Sequence, residues 1–385
     1  MNKKLAIISA YNYNYGTVLQ AVALVKVVSR YVNDVTVLQY KKKISFQQIK
    51  RIVNCSLLKS KIKAMIKKML LYINTSNRYY MREKNKKFFI FLKTHICFSR
   101  QIYGYQELKK RIKNYNQVLL GSDQLWNPIN IGTHYFTLEF VPDDIPKNTY
   151  ATSFGVTHLR KKEARIIKTC IERLDSISVR ELQAKELISK ITSKKDVQVC
   201  LDPTLLLKKD EWEQIIQPKE IINTKYVFAY FVGNQRKYRE MVFRFAKEHG
   251  YKMILLPHID EYVWADRKYM DSISMTVGPE EFVNLIRHAE YVFTDSFHGC
   301  AFSVIFQKKF CVFARFKESS KHSMNSRIES LFTLLNISNR WVKTYDDIER
   351  IVKVEINYNK VYELLDKQRK YSIDYLERIY KNESK

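Results

Sequence analysis

Short apolar runs alternate with longer amphipathic stretches along most of the chain. The first forty residues read as strand, helix, strand: Leu5–Ser9, Val18–Tyr31 and Val35–Leu38. Further strands are predicted near Val118–Leu120, Thr149–Ser153, Ser176–Val179 and Val197–Leu201, with helical periodicity between several of them. Regular alternation of this kind implies a parallel sheet covered by helices on both faces. A polar, charged stretch at Lys208–Pro218 then interrupts the pattern, and a second series begins. It runs through strand Tyr226–Val232, helix Arg236–Glu248 and strand Lys252–Leu256. Gly278-Pro279-Glu280-Glu281 opens another helix, with proline in its first turn and two carboxylates facing the positive end of the dipole. Strand Tyr291–Thr294 and the helix-like segment from Cys300 to Phe306 come next, and the last forty residues are charged, aromatic and helical in pattern.

The expected fold class is therefore α/β, with two Rossmann-like domains facing a cleft. Residues 1–207 form the first domain, broken by a basic helical insertion at about 41–113. Residues 208–344 form the second, and 345–385 form a helical tail. With 385 residues and 46% hydrophobic content, two cores can be buried.

Two segments carry candidate chemistry. Thr294-Asp295-Ser296-Phe297-His298-Gly299-Cys300-Ala301-Phe302-Ser303 places a histidine between a strand and a helix start. In open parallel sheets, ligands bind at the carboxyl ends of strands, where helix amino termini aim N–H groups at anions. Histidine there can move protons and help neutralise an anion; it can equally cap the helix or pack under the loop. Gly121-Ser122-Asp123-Gln124-Leu125-Trp126-Asn127-Pro128 comes after another strand and combines hydrogen-bonding side chains with a flat apolar ring, a set suited to sugars. The loop Ala10–Gly16 lies where a first βα loop binds ligand, but it lacks the GxGxxG pattern of a dinucleotide site.

These segments, with Asn14-Tyr15-Gly16-Thr17-Val18-Leu19-Gln20-Ala21, Ser178-Val179-Arg180-Glu181 and Leu201-Asp202-Pro203-Thr204, resemble the polysaccharide pyruvyl transferase family from about Lys3 to about Arg340. The resemblance implies a GT-B arrangement of the two domains. It also implies transfer of pyruvate from phosphoenolpyruvate to two hydroxyls of a sugar in a surface polysaccharide precursor, closing a cyclic ketal. The implied partners are phosphoenolpyruvate as donor substrate and a sugar or lipid-linked oligosaccharide acceptor, with no cofactor and no metal. His298 is then the candidate for proton transfer or phosphate binding. Some members carry an arginine two residues before that histidine, where this chain has Ser296. Arg180, Arg315 or Arg327 must then supply the missing charge. Ser296 and Gly299 complete the expected donor site. Asp123 is either a base for the acceptor hydroxyl or a turn residue, and Arg180 either binds donor or pairs with Glu181 or Asp202. Trp126 either stacks on a sugar or belongs to the core. Asn14, Gly16, Gln20 and Gln124 are expected to line the cleft. A nucleotide-sugar glycosyltransferase of the same architecture and a non-catalytic carbohydrate-binding protein at the membrane surface are the competing readings.

The formal charge of +28 adds one element. No acidic residue lies between Asp34 and Glu83, a stretch holding twelve lysines and arginines, among them Lys59, Lys61, Lys63, Lys67, Lys68, Arg78 and Arg82. Ile62, Met65, Ile66, Met69 and Ile73 recur there at helical spacing. Such a helix either turns its apolar stripe into the core or lies on an anionic membrane surface. Nothing resembles a nucleic-acid-binding motif, and no nucleic acid partner is expected. The six cysteines are scattered without a CxxC pair, as in a reduced protein without a zinc site. No apolar run reaches the ~18 residues of a transmembrane helix. Neither a long apolar leader nor a small-residue cleavage site comes after Met1. The expected location is cytoplasmic, peripheral at the inner face of the cell membrane.

Overall fold

The first apolar run becomes an interior strand of a parallel sheet. The computed structural model describes residues 3–42, 75–132, 134–194, 196–257, 263–269, 276–315, 326–337 and 340–381. Its first half contains strands β1 (Lys4–Ile8), β2 (Asp34–Val37), β3 (Tyr40–Lys41), β4 (Ile102–Tyr103), β5 (Gln117–Leu120), β6 (Lys147–Thr149), β7 (Ile177–Val179) and β8 (Val197–Val199). Four of these form a parallel sheet in the order β2-β1-β5-β6. The parallel pair β7-β8 continues it through isolated bridges at Asn148–Ser176 and Thr152–Val179. The second half holds β9 (Tyr226–Tyr230), β10 (Lys252–Leu256), β11 (Tyr291–Thr294), β12 (Lys309–Phe313) and β13 (Trp341–Val342), all parallel, in the order β10-β9-β11-β12-β13. Two parallel sheets in succession match the α/β class read from the sequence.

Seven helices position the cleft or join the two halves: α1 (Tyr15–Val28), α2 (Thr75–His95), α3 (Arg236–Glu248), α4 (Pro279–His288), α5 (Phe297–Ile305), α6 (Ser326–Leu335) and α7 (Tyr358–Lys381). Helix α1 is apolar nearly all round, and a helix of that composition must be covered on every side. The second half supplies the cover. The Tyr15 ring stacks on Phe282 of α4 with centroids 4.5 Å apart, and its hydroxyl donates to the Val277 carbonyl at 2.8 Å. One apolar core consequently runs from β1 and α1 through α4 and α5 to β9 and β12. Helix α7 makes a second link. Tyr362 donates to the Ile305 carbonyl (2.6 Å) in the second half. Further along, Ser372 accepts from the Leu201 N–H (3.0 Å) and Tyr375 donates to the Thr149 carbonyl (2.8 Å) in the first.

Several expectations need adjusting. The strand expected over Thr149–Ser153 ends at Thr149, because the chain turns through a positive φ of 48° at Ala151. The insertion is not helical throughout its described part: after α2 comes β4, which pairs with β3. The stripe Ile62, Met65, Ile66, Met69 and Ile73 and the lysines from Lys59 to Lys68 lie outside the described residues. Strands β12 and β13 and helix α6 have no counterpart among the elements expected from the sequence.

Candidate active site

Both sheets end their central strands toward one cleft, so the loops after β1, β5, β9 and β11 converge. The cleft contains a cavity of about 140 Å³ lined by residues of both halves. Asn14, Thr17, Asp123 and Gln124 come from the first, and Tyr230, Asp295, Ser296, Phe297, His298, Arg315 and Arg327 from the second. On the far side of Phe297 and Arg327 lies a larger cavity of about 470 Å³, bounded by Arg180, Asp202, Leu201, Leu331 and Leu334.

Local sequence explains how each side chain arrives. Asn14 is the N-cap of α1, extended at φ −121° and ψ 133°, and its side chain accepts from the N–H groups of Gly16 and Thr17. Asp123 sits in the turn after β5 at φ 77°, a conformation that Asp tolerates better than most residues. Its carbonyl accepts from the Ser153 N–H (2.9 Å), and its carboxylate accepts from Thr17 Oγ1 (2.9 Å). Ser296 is the N-cap of α5, accepting from the Gly299 N–H. That leaves the first N–H groups of α5, at Phe297 and His298, without an intrahelical partner at the cleft. Asp295, on the cavity wall, accepts from the N–H groups of Val232 (2.6 Å) and Gly233 (2.8 Å), tying the loop after β9 to the one after β11.

His298 is held from the other half of the molecule. A Cβ at Gly16 would fall 2.0 Å from His298 Nδ1, so the imidazole lies where any side chain at residue 16 would be. Its Nε2 is 3.6 Å from Asp202 Oδ2, an ion-pair distance just beyond a hydrogen bond. Asp202 binds Arg180 Nη1 at 2.6 Å, and Arg180 Nη2 is 3.7 Å from Asp123 Oδ1. The Arg180 guanidinium also lies 5.0 Å from the Phe297 ring centre. Asp202 additionally caps the short helix Pro203–Leu206 by accepting from the Thr204 N–H (3.0 Å).

The electrostatics reflect this mixture. Burial would raise the carboxyl of Asp202, but His298 and Arg180 outweigh it and hold the group well below the usual carboxylate range. Asp123 is lowered in the same way: Arg180, His298 and Arg327 overcome its burial. Burial raises Glu181 despite the neighbouring Arg180. Burial and the proximity of Arg180 bring Arg327 down to about 10. The site thus combines cations, a helix amino terminus and two firmly ionised carboxylates beside one histidine.

Some expected residues stand elsewhere. Trp126 is fully buried, packs on Phe154 and donates its indole N–H to the Phe136 carbonyl (3.2 Å), so no face is open to a sugar. Gln20 is buried behind the loop, donating to the Thr17 carbonyl (2.9 Å). Gly299 serves packing: a Cβ there would meet Thr294 Oγ1 at 2.4 Å, and its N–H is taken by Ser296. Arg180 pairs with Asp202 and borders the larger cavity, not the smaller one. Asn14, Asp123, Gln124, Ser296, His298 and Arg327 line the smaller cavity, and Gly16 makes room for His298. Thr17 and Tyr230 join them, although no motif singles them out. Thr17 falls three residues after the N-cap Asn14, and Tyr230 ends β9, two residues before the Val232 end expected from the sequence.

A family model described as polysaccharide pyruvyl transferase matches residues 14–315, from the N-cap Asn14 to Arg315 of the cavity. The chain belongs to the polysaccharide pyruvyl transferase family. It is accordingly a transferase with a sugar or polysaccharide acceptor. Among solved structures it is similar to UDP-GlcNAc 2-epimerase from Methanocaldococcus jannaschii, with TM-score 0.52 and 11% identity over 92% of this chain and 93% of that one. It also matches a ugt transferase from Siraitia grosvenorii in complex with UDP (TM-score 0.48, 10% identity, 99% and 100% coverage). ADP-heptose lps heptosyltransferase II from E. coli is more distant (TM-score 0.36, 10% identity, 96% and 99% coverage). The fold of this family member is GT-B. A search of curated proteins gives no significant match. Among the described residues no three His, Cys, Asp or Glu side chains are grouped to hold a metal, and no helix is long and apolar enough to cross a membrane.

Two outcomes are expected. Gly16→Ala will displace the imidazole and cut turnover by about 10²-fold or more while the circular dichroism spectrum and melting temperature change little. Near-normal turnover in that variant contradicts the close approach. Asp202→Asn leaves Arg180 buried without its carboxylate and costs about 3 kcal/mol at pH 7. A depressed carboxyl stabilises the fold above its unfolded value of about 3.9, and that contribution is lost as pH falls below it. Urea titrations should therefore show a constant gap between wild type and variant above about pH 5 that narrows toward pH 3. A gap that does not change with pH removes Asp202 as an ionised partner.

Proposed function

We propose that this family member transfers pyruvate from phosphoenolpyruvate to two hydroxyls of one sugar, closing a cyclic ketal and releasing phosphate. The observation that carries the reading is His298, set at the start of α5 with Arg315 and Arg327 on the same cavity and Asp202 behind it. A donor bearing both a carboxylate and a phosphate needs such a concentration of cations and helix N–H groups. The sizes also suit the pair of substrates: a small polar cavity for the donor, and a larger one across Phe297 and Arg327 for an acceptor.

The chemistry assigns one task to each group. His298 gives a proton to carbon 3 of the enol, making carbon 2 electrophilic. One sugar hydroxyl attacks carbon 2. Asp123, ionised and facing the cavity, takes the hydroxyl proton as the new bond forms; its depressed basicity lets it pass that proton to the departing phosphate. The C2–O bond to phosphate then breaks, and the second hydroxyl closes the ring, returning its proton to His298. Carbon 3 gains one proton and phosphate the other, so no water, oxidant or metal enters the balance. Arg315 and Arg327 neutralise the phosphate as its charge grows, in place of the arginine absent at Ser296. Phosphoenolpyruvate is an intracellular metabolite, and the proposed reaction is therefore cytoplasmic.

Incubation with phosphoenolpyruvate and a panel of sugar acceptors should release phosphate stoichiometrically with a ketal product, while UDP- and GDP-sugars remain intact. Consumption of a nucleotide sugar with phosphoenolpyruvate untouched overturns the reading in favour of a glycosyltransferase. His298→Ala should lower turnover by about 10²–10⁴-fold with an unchanged fold. Activity should persist in EDTA, since arginines take the place of a divalent cation. Complete loss restored by one metal ion contradicts that part of the mechanism.

A further inference from the structure

Helix α2 has an outer face that the core does not use. Its inner face is accounted for: Phe88, Phe91 and Leu92 are buried, Lys84 lies over the Tyr15 ring, and Lys87 pairs with Glu281 of α4. Phe88 also packs against Tyr13 and Tyr15, so α2 lies directly beside the loop that carries Asn14 to the cleft. The outer face carries Arg78, Tyr79, Arg82, Lys86, Phe89, Ile90 and Lys93, at the three- and four-residue spacing of a single helical stripe. Tyr79 is 62%, Phe89 52% and Ile90 51% exposed. The only carboxylate of the helix, Glu83, is half-buried at the edge of the stripe, three residues before Lys86.

We propose that this face docks the protein on an anionic lipid bilayer, with Phe89 and Ile90 entering the headgroup boundary and Arg82, Lys86 and Lys93 pairing with lipid phosphates. A stripe with four cations (Arg78, Arg82, Lys86 and Lys93) beside exposed apolar side chains and a single half-buried carboxylate at its edge is the pattern of a helix lying in a membrane interface. Two side-by-side exposed apolar residues otherwise keep a contact with water that nothing in the described fold requires. A second copy of the chain is a poor occupant, because it would set these cations against each other. A nucleic acid would match the charge but not the aliphatic Ile90, which has no base-stacking face. The Lys93 ammonium lies 5.9 Å from the Phe89 ring centre and 5.6 Å from that of Phe98, at the end of the stripe. Docked this way, the first βα loop and its cleft sit close to the bilayer, where a membrane-bound acceptor would be presented. The docking itself does not depend on which donor the cleft takes.

The test is co-sedimentation of the full chain with vesicles of phosphatidylcholine alone and of phosphatidylcholine with about one third phosphatidylglycerol, an anionic surface, at low and high salt. Binding should require the anionic lipid and weaken with salt. The triple variant Arg82→Gln, Lys86→Gln, Lys93→Gln should bind on the order of a hundred-fold less tightly, at ~1 kcal/mol per cation. The pair Phe89→Ser, Ile90→Ser should also lose binding, with the charge intact. Both variants should keep wild-type melting temperatures and wild-type rates on a soluble acceptor. Equal binding of wild type and variants, indifference to lipid charge, or salt-sensitive binding to an oligonucleotide with none to vesicles overturns the proposal. A failure of phosphoenolpyruvate turnover with vesicle binding retained would instead count against the catalytic reading alone.

Discussion

The close approach of α1 to His298 is the constraint on which the rest of the site depends. The histidine belongs to the second sheet domain, yet the first domain decides where its ring can lie. Gly16 removes the side chain that would occupy that space, and Asp202 holds the other ring nitrogen from across the cleft. For this to work, the two domains must keep a fixed distance. The apolar α1 secures it, since its burial is completed by α4 and α5, with Tyr15 stacked on Phe282. Helix α7 adds a second strap from Ile305 back to Thr149. Stability and catalytic geometry therefore rest on the same contact surface.

The charges of the site are organised around one buried arginine. Arg180 is shared among Asp202, Asp123 and, at 3.8 Å, Glu181. A buried ion pair is a poor source of net stability, because desolvation offsets most of its attraction. The arrangement provides position instead. It keeps two carboxylates ionised in an enclosed space, one behind the histidine and one facing the cavity. Arg315 and Arg327 border the donor cavity itself, where a ligand's negative charge would meet them.

Much of this architecture is legible from periodicity. Helix Arg236–Glu248 and strands Lys252–Leu256 and Tyr291–Thr294 have the bounds that the apolar pattern indicates, because the helix has one apolar face and the strands are short apolar runs buried on both faces. Short edge elements such as β13 and the β3–β4 pair carry too few residues to show a period. Within the site, the motifs locate the right loops but not the facing of each side chain. Trp126 and Asp123 share one turn, yet the first enters the core through its contact with Phe154 while the second reaches the cavity. Gln20 and Gly299 are likewise part of recognisable segments whose role is to hold the backbone. The Asp202–Arg180–His298 arrangement spans three separate segments, and only the folded chain brings them together.

The most direct test of the central claim is a crystal structure of the protein with phosphoenolpyruvate or an unreactive analogue bound. The phosphate should lie at the start of α5, within hydrogen-bonding reach of Arg315 or Arg327, with carbon 3 facing His298. Gly16 and Asn14 of the other domain should remain in place beside the ligand. Donor bound outside this cleft, or bound within it with His298 turned away from the reacting carbon, would contradict the account.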